Sequence, residues 1–345
     1  MSSLELRRVG HRFVEASQGV SALDDVSFTV ASGEIVAVVG ESGCGKTTLG
    51  RIVAGLTQPT HGHVIFDGSD VWHMGRRDRL TYRRAVQLVH QDPYASLNPA
   101  LSIGETLGAA IRHHGVVPRR DVHGEMLRLL DLVGLDASAA FLRRFPHQLS
   151  GGQRQRLAIA RSVSLHPSLV VADEAVSMMD VSIRVSILNL MLEIQRKESL
   201  SYLFISHDLG VVRYFAHGGR IVVIFYGRII EEGRTTDVIG APKHPYTWLL
   251  LNALPLPDPR LARERRMKDR ADTQFSEGPP AESGCIYANR CPFVVPACRE
   301  EQPEFVEVGP GHRVACTLTN SLRLPDLQRA SVLDAPTAPR LEIAP

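Results

Sequence analysis

The chain has 345 residues, which is long for one hydrophobic core and favours a main domain with a smaller appendage. Its 39 Lys and Arg residues against 37 Asp and Glu residues give a net charge of +2. This balance excludes the strong positive field of a protein that wraps nucleic acid over its whole surface, although it leaves room for a local patch.

The N-terminal segment and the hydropathy pattern bear on where the chain works. Residues 1–8 contain no apolar core of a signal peptide, and no run approaches the ~18 apolar residues of a membrane span. We therefore expect a cytosolic chain that meets a membrane through a partner.

The first strands in chain order lead to a phosphate loop. The apolar run 35–39 predicts a strand buried on both faces of a parallel sheet, and residues 40–48 directly after it fit the pattern G-x-x-x-x-G-K-[ST]. Glycines let such a loop aim its N–H groups at phosphate oxygens, at the N-terminus of a helix that begins near Lys46. A chance glycine-rich turn would lack this context. The predicted nucleotide-binding residues here are Gly40, Ser42, Gly43, Cys44, Gly45, Lys46, Thr47 and Thr48.

Individual side chains around the loop have predicted roles. Lys46 should reach the β- and γ-phosphates, and the hydroxyl of Thr47 should bind Mg²⁺. Phe13, upstream, has two open interpretations: a ring that stacks on adenine, or a core side chain. A strand at 86–89 delivers Gln91 into a following loop.

Helical spacing replaces the strand pattern from residue 101 onward, and we expect an α-helical subdomain at about residues 95–160. It leads into a second segment of small residues before a helix, which predicts a second anion site. The candidate residues of that site are Ser150, Gly151, Gly152 and Gln153.

Two later strands carry acids and a histidine at their carboxyl ends. The buried run 169–172 delivers Asp173 and Glu174, which are interpreted as a metal ligand and a base, and the run 202–206 delivers His207. A hairpin is predicted over 221–231.

The composition shifts after residue 240. We expect an extension over 241–325 that contains a proline-rich exit at 255–259, a basic but solvated helix face at 260–270, and a disordered tail at 326–345. The extension holds four of the five cysteines: Cys285, Cys291, Cys298 and Cys316.

The four cysteines predict a local metal site. Four thiolates suit either a [4Fe–4S] cluster or Zn²⁺, and the lack of C-x₂₋₄-C pairs favours the larger cofactor. Unliganded thiols are the alternative, although a short segment gains folding energy from a metal.

Taken together, these motifs resemble those of an ATP-binding cassette (ABC) transporter ATPase. The Leu-Ser-Gly-Gly-Gln segment 149–153 separates that family from other phosphate-loop ATPases, and the resemblance covers about residues 4–240. The extension resembles that of the oligopeptide/dipeptide importer branch, in which some members carry a [4Fe–4S] cluster. The implied fold is an α/β phosphate-loop NTPase core with an antiparallel β subdomain, an α-helical subdomain and a small cysteine-rich extension.

The resemblance also implies roles for the motif residues. Glu174 would polarise the attacking water, Asp173 would orient Mg²⁺, Gln91 would bind the metal and signal to membrane subunits, and His207 would contact the γ-phosphate. Asp180 belongs to the same set of motifs. In a head-to-tail dimer, the signature segment 149–153 would serve the partner's ATP.

The implied partners are a second ABC ATPase (identical or a paralogue), two permeases and, indirectly, a solute-binding protein, with the chain peripheral on the cytoplasmic face and no nucleic acid bound. Two alternatives stay open, a soluble ABC-type ATPase acting on DNA or the ribosome and a redox protein. Ala175, Met178 and Met179 depart from the Pro, Ala and Leu of the family pattern, and we expect catalysis to be retained.

Overall fold

The computed structural model describes residues 3–13, 21–92, 96–254, 279–319, 321–322 and 324. The proline-rich exit, the basic helix face and the tail predicted at 326–345 lie outside the described residues.

Two β-sheets organise the described part of the chain. A four-stranded antiparallel sheet has the order β2-β1-β4-β5, and an eight-stranded sheet has the order β11-β12-β10-β9-β3-β8-β7-β6. The strands are β1 (Leu4–Arg12), β2 (Ser21–Val30), β3 (Ile35–Val39), β4 (His61–Phe66), β5 (Ser69–Asp70), β6 (Val86–Val89), β7 (Leu169–Asp173), β8 (Ser201–Ser206), β9 (Arg220–Phe225), β10 (Arg228–Arg234), β11 (Val306–Gly309) and β12 (His312–Val314).

Parallel pairing in the large sheet gathers the motifs at one edge. β6, β7, β8, β3 and β9 pair in parallel in that order, so their carboxyl ends lie side by side. The phosphate loop follows β3, the paired acids end or follow β7, and His207 follows β8. Ligands of such sheets bind at this edge.

Alternating residues of β3 serve two separate cores. Val36 and Val38 pack into a core shared with the antiparallel sheet, whereas Ala37 and Val39 pack into the larger core that includes the helical subdomain. All four are at most 1% exposed, as the apolar run predicted for a strand covered on both faces.

The helices of the described residues follow from capping and apolar spacing. Ile103, Leu107 and Ile111 are fully buried, and the helix they belong to begins at a Ser102–Glu105 capping box. Helices span Lys46–Val53, Arg76–Ala85, Ile103–His114, Val122–Leu132, Ala139–Leu142, Gly151–Val163, Val181–Glu198, Leu209–Phe215, Thr235–Gly240 and Pro245–Asn252, with 3₁₀ turns at Arg119–Asp121, Pro146–Gln148 and Pro296–Arg299.

The predicted fold class is confirmed: a mixed α/β core carries an antiparallel sheet and a group of helices. The sequence analysis did not predict the polar helix Arg76–Ala85, nor the β11–β12 hairpin, which joins the large sheet through β10. Among the described helices, none combines the length and the apolarity needed to cross a membrane.

Candidate nucleotide-binding site

The phosphate loop fits its surroundings only because it contains glycines. A Cβ on Gly45 would lie 2.0 Å from the carbonyl oxygen of Ala22, and one on Gly40 would lie 2.2 Å from that of Ile224. Gly45 also has φ +100° and precedes the first residue of the helix Lys46–Val53. The loop therefore turns against the backbones of β2 and β9 and leads into a helix N-terminus, as predicted.

Lys46 lies folded back over the loop. Its Nζ donates to the carbonyl oxygens of Gly40 at 2.8 Å and Glu41 at 2.7 Å, and the residue is only 5% exposed. Burial raises the pKa of the neighbouring Cys44 thiol, although Lys46 opposes that shift. The loop thus holds a concentrated positive charge beside its own carbonyl oxygens, and a phosphate group can replace those acceptors.

Thr47 and Asp173 meet where a magnesium ion would be held. Thr47 Oγ1 donates to Asp173 Oδ1 at 3.3 Å, which joins the end of the phosphate loop to the end of β7. Burial and the nearby Glu174 charge raise the pKa of Asp173. A buried carboxylate next to a hydroxyl fits a hard cation with oxygen ligands, and such an ion would reverse the pKa shift.

Glu174 has both of its carboxylate oxygens engaged. Oε2 accepts from Gln91 Nε2 at 3.0 Å, and Oε1 accepts from His207 Nδ1 at 3.0 Å. Its backbone has φ +48°, and its N–H donates to the carbonyl oxygen of Ile205 on β8. The strained backbone conformation is thus fixed by the sheet, and it holds the carboxylate between the two polar side chains.

The signature segment caps a helix. Ser150 Oγ accepts from the N–H of Gln153 at 3.3 Å, and Gln153 Oε1 accepts from the N–H of Ser150 at 3.0 Å. Gly151 faces open space, and a Cβ on Gly152 would lie 3.1 Å from Ile183. The predicted helix N-terminus is confirmed. The structure describes one chain, so the expected role of this segment toward a partner's ATP stays a prediction.

Two further predicted residues, Phe13 and Asp180, are exposed to solvent. Phe13 follows β1, is 49% exposed and makes an edge contact with His11 at 4.9 Å. Arg12 pairs with Ser21, next to the Ala22 carbonyl that approaches the phosphate loop. Phe13 is therefore not a core side chain. Asp180 is exposed and precedes the helix Val181–Glu198.

The departures from the family pattern have visible structural consequences. Ala175 is 1% exposed, and its carbonyl oxygen accepts from the buried Gln155 Nε2 at 2.8 Å. Met178 is 69% exposed, whereas Met179 packs against the larger core.

The four cysteines of the extension come together in space. The N–H of Cys285 donates to the carbonyl oxygen of Cys298 at 2.7 Å. Burial raises the pKa of Cys291 to about 12 and that of Cys316 to about 11, and nearby thiols add to both shifts. Charge repulsion from Cys285 and Cys298 contributes to both shifts, so the fold gathers four cysteines that the sequence places between positions 285 and 316.

Sequence reasoning missed two polar clusters. His63 and His73 both bond through Nδ1 to Asp70 Oδ2, at 2.6 and 2.9 Å, and within the described ranges this is the only group of three metal-type ligands whose atoms lie within 4.8 Å. The hydrogen bonds to the carboxylate of Asp70 are sufficient to hold both imidazole rings in place. The second is a paired contact between Arg290 and Glu41, 249 positions apart, which no local pattern predicts.

Comparisons with known proteins place this site in a family. A family model described as "ABC transporter" matches residues 23–177, and one described as "Oligopeptide/dipeptide transporter, C-terminal region" matches residues 230–298. A dimeric ATP-binding cassette, MJ0796, solved in a post-hydrolysis state with ADP and Pi, is 26% identical, with a TM-score of 0.59 over 67% of this chain and 98% of its own. The fold and the site define a phosphate-loop ATPase.

Relatives extend the match to nearly the whole chain. A putative peptide import ATP-binding protein of Brucella ovis is 42% identical over 92% of this chain and 98% of the relative. The oligopeptide transport ATP-binding protein AppF of Bacillus subtilis is 41% identical over 87% of this chain and 90% of its own. The chain belongs to the ABC transporter family of ATP-binding proteins.

Proposed function

We propose that this chain is the ATP-hydrolysing, energy-coupling subunit of an ABC importer for oligopeptides, dipeptides or similar solutes. The observation that carries the proposal is that an ATPase site and a peptide-transporter C-terminal region occur in one chain. The names of both relatives described above support the peptide class.

In this proposal, residues of the phosphate loop and β7 bind the nucleotide. Lys46 leaves the loop carbonyls to neutralise the β- and γ-phosphates, and Thr47, Asp173 and the amide oxygen of Gln91 hold Mg²⁺. When bound, Mg²⁺ offsets the charge that develops on the phosphate oxygens. Phe13, which is exposed at the end of β1, is the proposed adenine contact.

Glu174 is the proposed base, and its neighbours keep it in place. A water aligned with the γ-phosphate gives its proton to Glu174 as its oxygen bonds to phosphorus, and ADP leaves with the electrons of the broken bond. His207 and Gln91 each bond to one carboxylate oxygen, so the base is oriented before substrate arrives. His207 contacts the γ-phosphate through its other nitrogen.

A second cassette completes the site. We infer a head-to-tail dimer, of two copies or with a paralogue, in which Ser150, Gly151, Gly152 and Gln153 contact the partner's ATP. The open space in front of Gly151 and the exposed Asp180 and Met178 support a docking surface there. The dimer acts on two permease subunits from the cytoplasmic face of the membrane, and a solute-binding protein delivers the peptide to them.

For the four cysteines we propose a [4Fe–4S] cluster with a structural role, bound by Cys285, Cys291, Cys298 and Cys316. Their gathering in space fits a shared ligand. We favour the cluster over tetrahedral Zn²⁺ because these four cysteines contain none of the C-x₂₋₄-C pairs that are usual in structural zinc sites. Within this proposal the extension spans 241–325 and the ATPase domain 4–240.

The decisive experiment is uptake of a labelled peptide by vesicles that contain the chain with its permeases and binding protein. We expect ATP-driven uptake that Lys46→Ala abolishes, because the phosphate charge is then uncompensated. ATP hydrolysis without any peptide uptake would contradict the importer assignment. Co-purification with DNA or ribosomes instead of membranes would favour the soluble alternative.

A further inference from the structure

An arginine of the cysteine-rich segment contacts the phosphate loop directly. Arg290 precedes Cys291, and its guanidinium donates to Glu41, from Nη1 to Oε2 at 2.9 Å and from Nη2 to Oε1 at 2.8 Å. Two such bonds fix orientation as well as distance. The Arg290 side chain is 17% exposed and lies over the Phe225 ring at 5.4 Å, so salt screens this pair less than one on an open surface.

Glu41 is also held through its backbone. Its N–H donates to Tyr246 Oη at 2.8 Å, and its carbonyl oxygen accepts from Lys46 Nζ at 2.7 Å. Tyr246 is fully buried in the helix Pro245–Asn252 of the extension. Glu41 therefore connects two residues of the extension to the lysine that is expected to bind phosphate.

Aromatic packing ties these contacts to the cysteines. Tyr287 lies with Arg290 between Cys285 and Cys291 in the sequence. Its ring packs on Phe225 at 5.1 Å and on Tyr246 at 5.5 Å between centroids. The backbone that these two cysteines would hold is thus the backbone that places Arg290 on Glu41 and Tyr287 against Tyr246.

We propose that Arg290 and Tyr246 are positioning residues for the phosphate loop, and that occupancy of the four-cysteine site controls ATP affinity through them. A bound metal cluster fixes the segment, keeps Arg290 on Glu41, and so reduces the ordering that ATP binding requires. Linkage makes the coupling reciprocal, so MgATP should also strengthen retention of the cluster. The inference rests on the proposed four-cysteine cofactor and on ATP binding.

The first test measures MgATP affinity of the full chain, purified anaerobically, by calorimetric titration. We expect Arg290→Ala and Glu41→Ala each to weaken binding about 5- to 10-fold, and the double variant to be no weaker than either. Arg290→Lys should recover only part of the loss, because an ammonium group cannot form the paired contact.

The matched control is Arg299→Ala. Arg299 follows Cys298 in the same segment, but its guanidinium donates to Asn289 at 3.1 Å rather than to the phosphate loop. This variant should keep the parental affinity. Metal content and thermal unfolding establish that each variant is folded. Parental affinity in Arg290→Ala, or equal losses in Arg299→Ala and Arg290→Ala, would overturn the positioning role.

The second test removes the bound cluster with Cys291→Ser and Cys316→Ser together. MgATP binding should weaken by the same factor as in Arg290→Ala, and adding Arg290→Ala should cause no further loss. Losses that multiply would refute the link between the cysteines and the loop. A parent that does not bind MgATP would refute the ATPase site itself. If the parent binds MgATP but holds no metal, the cofactor proposal fails and control by occupancy fails with it, while the Arg290–Glu41 comparison still decides the positioning role.

Discussion

At the residue scale, Glu174 combines a strained backbone with a fully engaged side chain. Its positive φ is held by a hydrogen bond to Ile205, and its carboxylate lies between Gln91 and His207. Such strain persists only where the surrounding structure imposes it, and it is concentrated at functional sites. The next residue, Ala175, is buried, and its carbonyl oxygen accepts a hydrogen bond from Gln155 Nε2.

We expect Glu174→Gln to bind MgATP with parental affinity and to hydrolyse it about 10²- to 10⁴-fold more slowly. The amide keeps the shape of the side chain but cannot accept the proton of the attacking water. Single-turnover hydrolysis by the assembled complex measures the effect. Glu193→Gln, on an exposed helix face where Glu193 pairs with Lys197, is the control and should hydrolyse normally. A parental rate in Glu174→Gln would rule out this base.

His244 gives the extension a predictable response to acid. The ring is fully buried, its Nδ1 accepts from the N–H of Tyr246 at 3.0 Å, and burial lowers the pKa of His244 to about 3. Unfolded histidine has a pKa near ~6.5, so below that pH the unfolded chain binds a proton that the folded chain does not. The stability that this histidine contributes is complete above pH ~6.5 and falls as the pH drops toward 3.

The corresponding prediction concerns the slope of stability with pH. Between pH 6 and 4 we expect the free energy of unfolding to lose about 1.4 kcal/mol per pH unit through His244. His244→Asn keeps an N-cap acceptor but cannot titrate, so its slope should be shallower by that amount. Urea unfolding at several pH values measures it. The exposed His217→Asn is the control, and an unchanged slope in His244→Asn would contradict the assignment.

At the scale of elements, two helices each begin with a capping box, but only one of them is proposed to have a role in catalysis. Ser102 with Glu105 caps the helix Ile103–His114, and Ser150 with Gln153 caps the helix Gly151–Val163. Each serine satisfies an N–H group that the helix itself leaves unpaired. Only the second box lies in the segment proposed to meet a partner's ATP.

This pair separates capping from catalysis. We expect Ser150→Ala and Ser102→Ala each to destabilise the chain by about 1 kcal/mol, because each loses one cap. Ser150→Ala should also reduce ATP hydrolysis of the assembled dimer by at least about tenfold, since a phosphate contact is lost. Thermal unfolding and steady-state hydrolysis are the measurements. Equal hydrolysis rates in the two variants would show that Ser150 acts as a cap alone.

At the scale of the whole molecule, the extension is built into the ATPase core. β12 pairs with β10, and the fully buried Glu231 accepts from the backbone N–H groups of Lys243 and His244 and from His312 Nε2. A buried carboxylate is tolerated only with several donors of this kind. Three segments of the chain therefore meet on one charged group, and Cys285, Cys291 and Cys298 pack in or against the larger core.

We expect the anaerobically purified chain to be brown, to absorb near ~400 nm and to contain about four iron and four sulfide per chain. Cys291→Ser with Cys316→Ser should lose the iron, since two of the four ligands are gone. The control variant Cys44→Ser, which removes the cysteine of the phosphate loop, should retain the iron. Colourless protein with one zinc per chain would show a zinc site instead of an iron–sulfur cluster. Metal-free protein with four titratable thiols would show that the cysteines bind no metal.

The sequence alone determined the features that depend on residues close together along the chain. The phosphate loop, the signature segment and the acids after β7 each combine a local backbone geometry with side chains a few positions away, and all lie where they were predicted. The hydrogen bonds from Gln91 and His207 to Glu174 depend on the order of the parallel strands, because β6 and β8 lie on either side of β7. The contact between Arg290 and Glu41 spans 249 positions, and it exists because the extension packs against the core beside the loop. Such contacts depend on strand order and on distant packing, which no local pattern of residues encodes.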